Sequence, residues 1–171
     1  LHEAAHGYAA RHFGDRTAEL AGRISLNPLR HIDPMGTLVV PALILVTSSL
    51  AAGSAMLFGW AKPVPVNFGR LRNPKADMLW VAAAGPLANL AMAIGWALLF
   101  RLAVLISDSE YAIPLARMAD AGMQINAVLM ILNLLPLPPL DGGRIAVSLL
   151  PAGPAYKFAQ LEPYGFPILL L

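Results

Sequence analysis

The sequence predicts an all-α polytopic membrane protein, a bundle of transmembrane helices with one short extended segment near residues 62–69. Three observations predict it. Charged residues make up only 13% of the chain against 57% hydrophobic, where an ordinary soluble domain carries about 25% charge. That is too little charge to coat a water-facing surface, and the mean hydropathy is correspondingly +0.62. Long stretches are free of Asp, Glu, Lys and Arg, as crossing about 30 Å of hydrocarbon requires. Finally, the polar intervals between them are short, and one is stiffened by prolines.

In chain order, residues 1–14 read as the second half of a span. Residues 15–34 form a polar stretch with Arg16, Glu19, Arg23, Arg30, His31 and Asp33. Met35 to Ala61 is the first uncharged candidate span, interrupted by Pro41, which leaves the Thr37 carbonyl without its helical partner. Residues 62–77 are polar again and begin Lys62-Pro63-Val64-Pro65-Val66-Asn67-Phe68-Gly69. Two prolines restrict this run to an edge strand or an interfacial loop. Met78 to Phe100 is the second span, broken by Gly85-Pro86 and rich in small residues that suit close helix packing. Ala121 to Leu140 is the third, in a helix that begins near Ala112. Residues 164–171 read as the start of a further apolar helix. The whole, residues 1–171, is expected to be one core domain cut at both ends. If each span crosses once, residues 11–34 and 101–117 share a side. The twelve basic residues then divide six against six, and the positive-inside rule does not decide orientation.

Composition also excludes. The basic residues are scattered singly, so there is no nucleic-acid footprint. There is no cysteine, so disulfides and thiolate metal ligands are ruled out.

The chemistry sits at the chain start. His2-Glu3-Ala4-Ala5-His6 matches H-E-x-x-H. Histidines at i and i+4 share one helix face and can bind one Zn²⁺, with the glutamate beside the metal to take a proton from water. A catalytic zinc needs a third protein ligand. His12, His31, Asp33 and Asp141 are the candidates. Asp141 is the most suggestive, because it is an acid at the end of an apolar span, after Asn133 to Leu140 and before Gly142-Gly143. The competing reading makes Asp-Gly-Gly a turn and helix cap.

His2 to His6, followed at long distance by Leu140-Asp141-Gly142 in apolar sequence, resembles the site-2 protease family of intramembrane metalloproteases. His31-Ile32-Asp33-Pro34-x-Gly36-Thr37, Gly59 to Asn67, Gly85-Pro86-x-x-Asn89 and Asn133 to Gly143 resemble it too. The likeness is to the compact branch, without an internal PDZ domain. It implies zinc bound by His2, His6 and Asp141, with Glu3 as general base. It implies that Asn89 assists substrate or oxyanion binding and that Asn133 holds the unwound substrate. The run containing Val64 and Val66 would pair with that substrate as a strand. His31 and Asp33 would fix a loop, and His12 would lie at the interface. The substrate would be a transmembrane helix of another protein in the lipid bilayer, cut near the cytosolic face. A homo-oligomer stays open. Two other readings also stay open, a membrane metal carrier and an inactive relative that binds helices without cutting them.

Overall fold

The computed structural model describes residues 1–52 and 62–169. Its regular structure, among the described residues, is entirely helical. The helices are α1 (His2–His12), α2 (Thr17–Leu20), α3 (Val40–Ala52), α4 (Pro74–Leu105), α5 (Ala112–Leu134), α6 (Asp141–Leu149), α7 (Ala152–Ala159) and α8 (Glu162–Leu169).

Among the described residues two helices, α4 and α5, are long and apolar enough to cross a bilayer. They pack along each other, with α1 and α6 against α4. At 1.5 Å per residue, α4 is about 48 Å long and α5 about 34 Å, both beyond the roughly 30 Å of hydrocarbon. Gly122 lets them approach, since a Cβ there would fall 2.4 Å from the Trp96 ring. Their outer faces carry exposed Leu87, Ile94, Leu98, Ile125, Val128 and Ile131. So much bare aliphatic surface is costly in water and suits lipid.

The first expected span departs from a plain helix. Residues Pro34–Val39 form a π-helix before α3 begins at Val40. Pro41 explains the widening, because it offers no N–H and its ring crowds the preceding turn. Residues 53–61 of that span lie outside the described residues. The third expected span is also shorter than the sequence suggests. The helix does start at Ala112, but it ends at Leu134, and Leu135 is extended ahead of the prolines at 136, 138 and 139.

The expected extended/β segment at 62–69 forms no strand. Several of its backbone donors are engaged elsewhere. Lys62 N–H donates to the His31 carbonyl at 2.9 Å. Val64 N–H goes to Glu3 and Asn67 N–H to Asp15. Pro63 and Pro65 have none. The run is instead clamped by a small core of Ala10, Leu71 and Val81, flanked by Phe13, Val66, Phe68 and Met78.

These contacts also overturn the single-crossing count. Asp15 touches Asn67, and Arg72 N–H donates to the Phe13 carbonyl at 3.0 Å. The Arg72 guanidinium reaches the His12 carbonyl as well. His31 and Lys62 are joined as well. Residues 11–34 and 62–77 therefore lie at the same end of the molecule, not at opposite ends.

Asp15 is the fixed point of this end. It is fully buried. Burial pushes its carboxyl upward, but hydrogen bonds from the Thr17 hydroxyl, the Asn67 amide and the Thr17 amide, with Arg70 nearby, hold it below the usual carboxylate range. Gly14, just before it, sits at φ +109°, which a side chain would strain.

Candidate metal centre

The first turn of α1 and the first residue of α6 bring three donor atoms together. His2 Nε2 lies 3.1 Å from His6 Nε2 and 3.2 Å from Asp141 Oδ2. His6 Nε2 lies 3.4 Å from the same oxygen. A tetrahedral ion with bonds near 2.0–2.1 Å separates its ligand atoms by about 3.3 Å. The observed triangle is thus one face of such a tetrahedron. His2, His6 and Asp141 are, among the described residues, the group able to hold a metal ion.

Tautomer chemistry strengthens the fit. His6 Nδ1 is 2.7 Å from the Val81 carbonyl. A carbonyl only accepts, so Nδ1 carries the proton and Nε2 presents a lone pair. That lone pair faces a buried Asp141 oxygen that has no hydrogen-bond donor. Lone pairs directed at one another repel unless a cation sits between them.

The backbone around the triangle is shaped to admit it. At Gly85 a Cβ would lie 2.4 Å from His6 Nε2 and 2.5 Å from His2 Cε1. Both rings therefore pack against the bare backbone of α4. Gly142 and Gly143 play a similar part for Asp141. A Cβ on either would meet the backbone of residues 134–138 within 2.2–2.8 Å. Only glycine lets the proline-rich connection fold back over the start of α6.

Glu3 lines the same cavity as the three donor residues. Its Oε2 accepts the Val64 N–H at 2.9 Å. Glu3, His2 and Asn133 line two cavities, of about 810 and 440 Å³. The larger is walled by Pro63, Val64, Val66 and Phe68 on one side and by Leu140, Asp141 and Arg144 on another. Asn133 donates to the Leu129 carbonyl. The Val64 side chain is buried beside Gly7, so its backbone is what meets Glu3.

The other residues singled out by sequence take scaffold positions. Asp33 caps the π-helix by accepting Gly36 N–H at 2.9 Å. His31 Nε2 bonds the Ser25 carbonyl at 2.8 Å, and His31 lines the smaller cavity. His12 ends α1 next to Arg72. Asn89, almost wholly buried, has its amide nitrogen 3.1 Å from His2 Nδ1 and lines the smaller cavity. Sequence reading missed the spatial role of Gly85. It also missed Asp15 and Arg144, the latter over the Phe68 ring and paired with Glu162 at 3.3 Å. The sequence signals for Gly85 were its place before Pro86 in an uncharged stretch and its membership of the Gly85-Pro86-x-x-Asn89 segment that carries the family resemblance.

An H-E-x-x-H helix with an acidic third ligand from a distant helix defines a zinc metalloprotease centre. Comparison with known proteins agrees. The chain is 41% identical, over its full length and 74% of the relative's, to "Putative zinc metalloprotease YwhC" of Bacillus subtilis. It is 34% identical over 61% of "Putative zinc metalloprotease Rip2" of Mycolicibacterium smegmatis, and 32% identical over 54% of the Mycobacterium tuberculosis protein of that name. No family model and no solved structure matches. The chain belongs to this family of zinc metalloproteases, and its cofactor is Zn²⁺.

Proposed function

We propose that this chain is the catalytic core of an intramembrane endopeptidase of the compact site-2 protease type, cutting transmembrane segments of other proteins. The observation that carries the reading is the ligand-atom triangle beside a carboxylate-bearing cavity, built on helices whose outer faces are bare aliphatic surface.

His2, His6 and Asp141 hold the zinc in this reading. When bound, Zn²⁺ polarises the scissile carbonyl and acidifies the attacking water. Glu3 takes the proton of that water and delivers it to the leaving amine. The Val64 N–H fixes one oxygen of Glu3, leaving the other free for the proton. A transmembrane helix hides its amides in its own hydrogen bonds, so the substrate must unwind before attack. Asn133, at the boundary of both cavities, and the Val64–Val66 wall are the groups that receive the unwound chain.

Depth and orientation support the same reading. Gly85, against the triangle, is separated from the end of α4 at Leu105 by about 30 Å of helix, one hydrocarbon thickness. The metal then lies close to the boundary on the side of residues 62–77, where water can reach it. With the corrected topology Arg11, Arg16, Arg23, Arg30, Lys62, Arg70, Arg72, Lys75, Arg144 and Lys157 gather on that side. Only Arg101 and Arg117 remain on the other, ten against two. Such a bias favours the cytosol for the metal side.

The test is cleavage of a single-span membrane protein by the purified chain in liposomes, before and after zinc removal by a chelator. Proteolysis that disappears with the metal and returns with added zinc is the expected result. Zinc flux across the vesicle without proteolysis would replace this reading with a carrier.

A further inference from the structure

Three positions on α4 meet the two histidine rings, at intervals of four residues. The Val81 carbonyl takes His6 Nδ1, Gly85 provides the gap, and Asn89 reaches His2 Nδ1. Residues i, i+4 and i+8 lie along one face of a helix. The first contact fixes the His6 tautomer. The last is placed for the same task, but its polarity is reversed.

A neutral imidazole carries one proton. If His2 Nε2 is a metal ligand, it must present a lone pair, and the proton sits on Nδ1. Nδ1 is then a donor, yet the group 3.1 Å from it is the amide nitrogen of Asn89, also a donor. Meanwhile Asn89 Oδ1 is buried with no hydrogen-bond partner. The nitrogen and oxygen of an amide have nearly the same shape, so the hydrogen-bonding chemistry must assign them. Rotating the amide by half a turn sets Oδ1 on Nδ1–H. One rotation then removes the donor–donor clash and gives the orphaned oxygen a partner.

Resting on the reading of His2 as a zinc ligand, we propose that Asn89 is a positioning residue for His2, holding its Nδ1–H through the amide oxygen. Both histidines are then backed by an oxygen on one stripe of α4, a backbone carbonyl for His6 and a side-chain carbonyl for His2. Asn89 acts on the reaction through the metal site. Outer-shell partners of this kind commonly change metal affinity about 10–100-fold.

The experiment measures zinc affinity by chelator competition in detergent-purified wild type, Asn89→Ala, Asn89→Asp and His6→Ala. Asn89→Ala should bind zinc about 10–100-fold more weakly, with cleavage recovering as zinc is raised. Asn89→Asp keeps an acceptor and loses both N–H groups, so it should bind zinc at least as tightly as wild type. If Asn89→Ala does not fold, Asn89→Asp decides alone, because a donor role would make it lose zinc. Wild-type affinity in Asn89→Ala, or weakened affinity in Asn89→Asp, overturns the proposal. If that happens while His6→Ala loses zinc as it should, the metalloprotease reading stands and only the role of Asn89 falls. A wild type that binds no zinc sinks both.

Discussion

Glu3 Oε2 and the backbone amide of Val64 are joined at 2.9 Å across sixty-one positions of sequence. The bond ties the Glu3 carboxylate to the wall of the larger cavity. In Glu3→Gln the side-chain carbonyl can still accept this amide, so the fold and the zinc site should persist. The glutamine amide cannot take a proton, and losing a general base costs about 10²–10⁴ in rate. Turnover of a membrane substrate and zinc content, measured on the same preparation, check both halves. Near-normal turnover would remove Glu3 from the mechanism.

The triangle of His2, His6 and Asp141 makes a stoichiometric claim. Wild type should retain one zinc per chain after purification. His6→Ala and Asp141→Ala each delete a vertex and should lose bound zinc under the same washing. Elemental analysis reads the outcome directly. Full zinc in either variant would mean that the ion is held elsewhere.

Asp15 gives a prediction in pH. Its folded carboxyl is depressed by its hydrogen bonds despite burial. A depressed acid stabilises the fold fully above its ordinary titration range. That contribution disappears as pH falls through the lower folded value. Asp15→Asn accepts fewer bonds and should destabilise the chain at neutral pH by about 1–3 kcal/mol. It should also flatten the acid limb of a thermal-unfolding profile in detergent. A variant with the wild-type acid limb would show that Asp15 does not pin the 62–69 run.

The corrected topology is open to labelling in a chain with no native cysteine. Single cysteines replacing the exposed Leu26 and Lys157 should react with a membrane-impermeant thiol reagent from one side. A cysteine at exposed Asp108 should react from the other. If the cysteines at 26 and 157 label from opposite sides, the ten-to-two charge bias fails. The cytosolic assignment of the metal side fails with it.

The parts legible in sequence were those written in local spacing. His2 and His6 share a face because four residues make about one turn. Asp141 stood out as an acid closing an apolar stretch, and the helix start at Ala112 followed from hydropathy. The parts not legible were set by partners far away in the chain. Nothing local says that Lys62 N–H will find the His31 carbonyl, or that Asn67 will find Asp15. Those two bonds decide the topology that single crossings got wrong. The 62–69 run has strand-like composition at alternate positions, but the Lys62, Val64 and Asn67 amides bond a loop carbonyl and two distant carboxylates instead of a partner strand. Gly85 looked like a helix irregularity until two imidazoles were placed against it.

That glycine also constrains inheritance. Every other residue adds at least a methyl group, and here it would stand 2.4 Å from the ring nitrogen of His6. The gap is closed on one side by helix backbone and on the other by rings that must keep their metal geometry, so neither can yield. Gly85→Ala, the gentlest change available, should abolish zinc retention while leaving the helical circular dichroism near wild type, since alanine itself favours a helix. A saturation library at this codon, selected for metal retention, should return glycine alone. Position 85 thus has no neutral neighbours in sequence space, and a lineage that loses this glycine loses its chemistry in a single step.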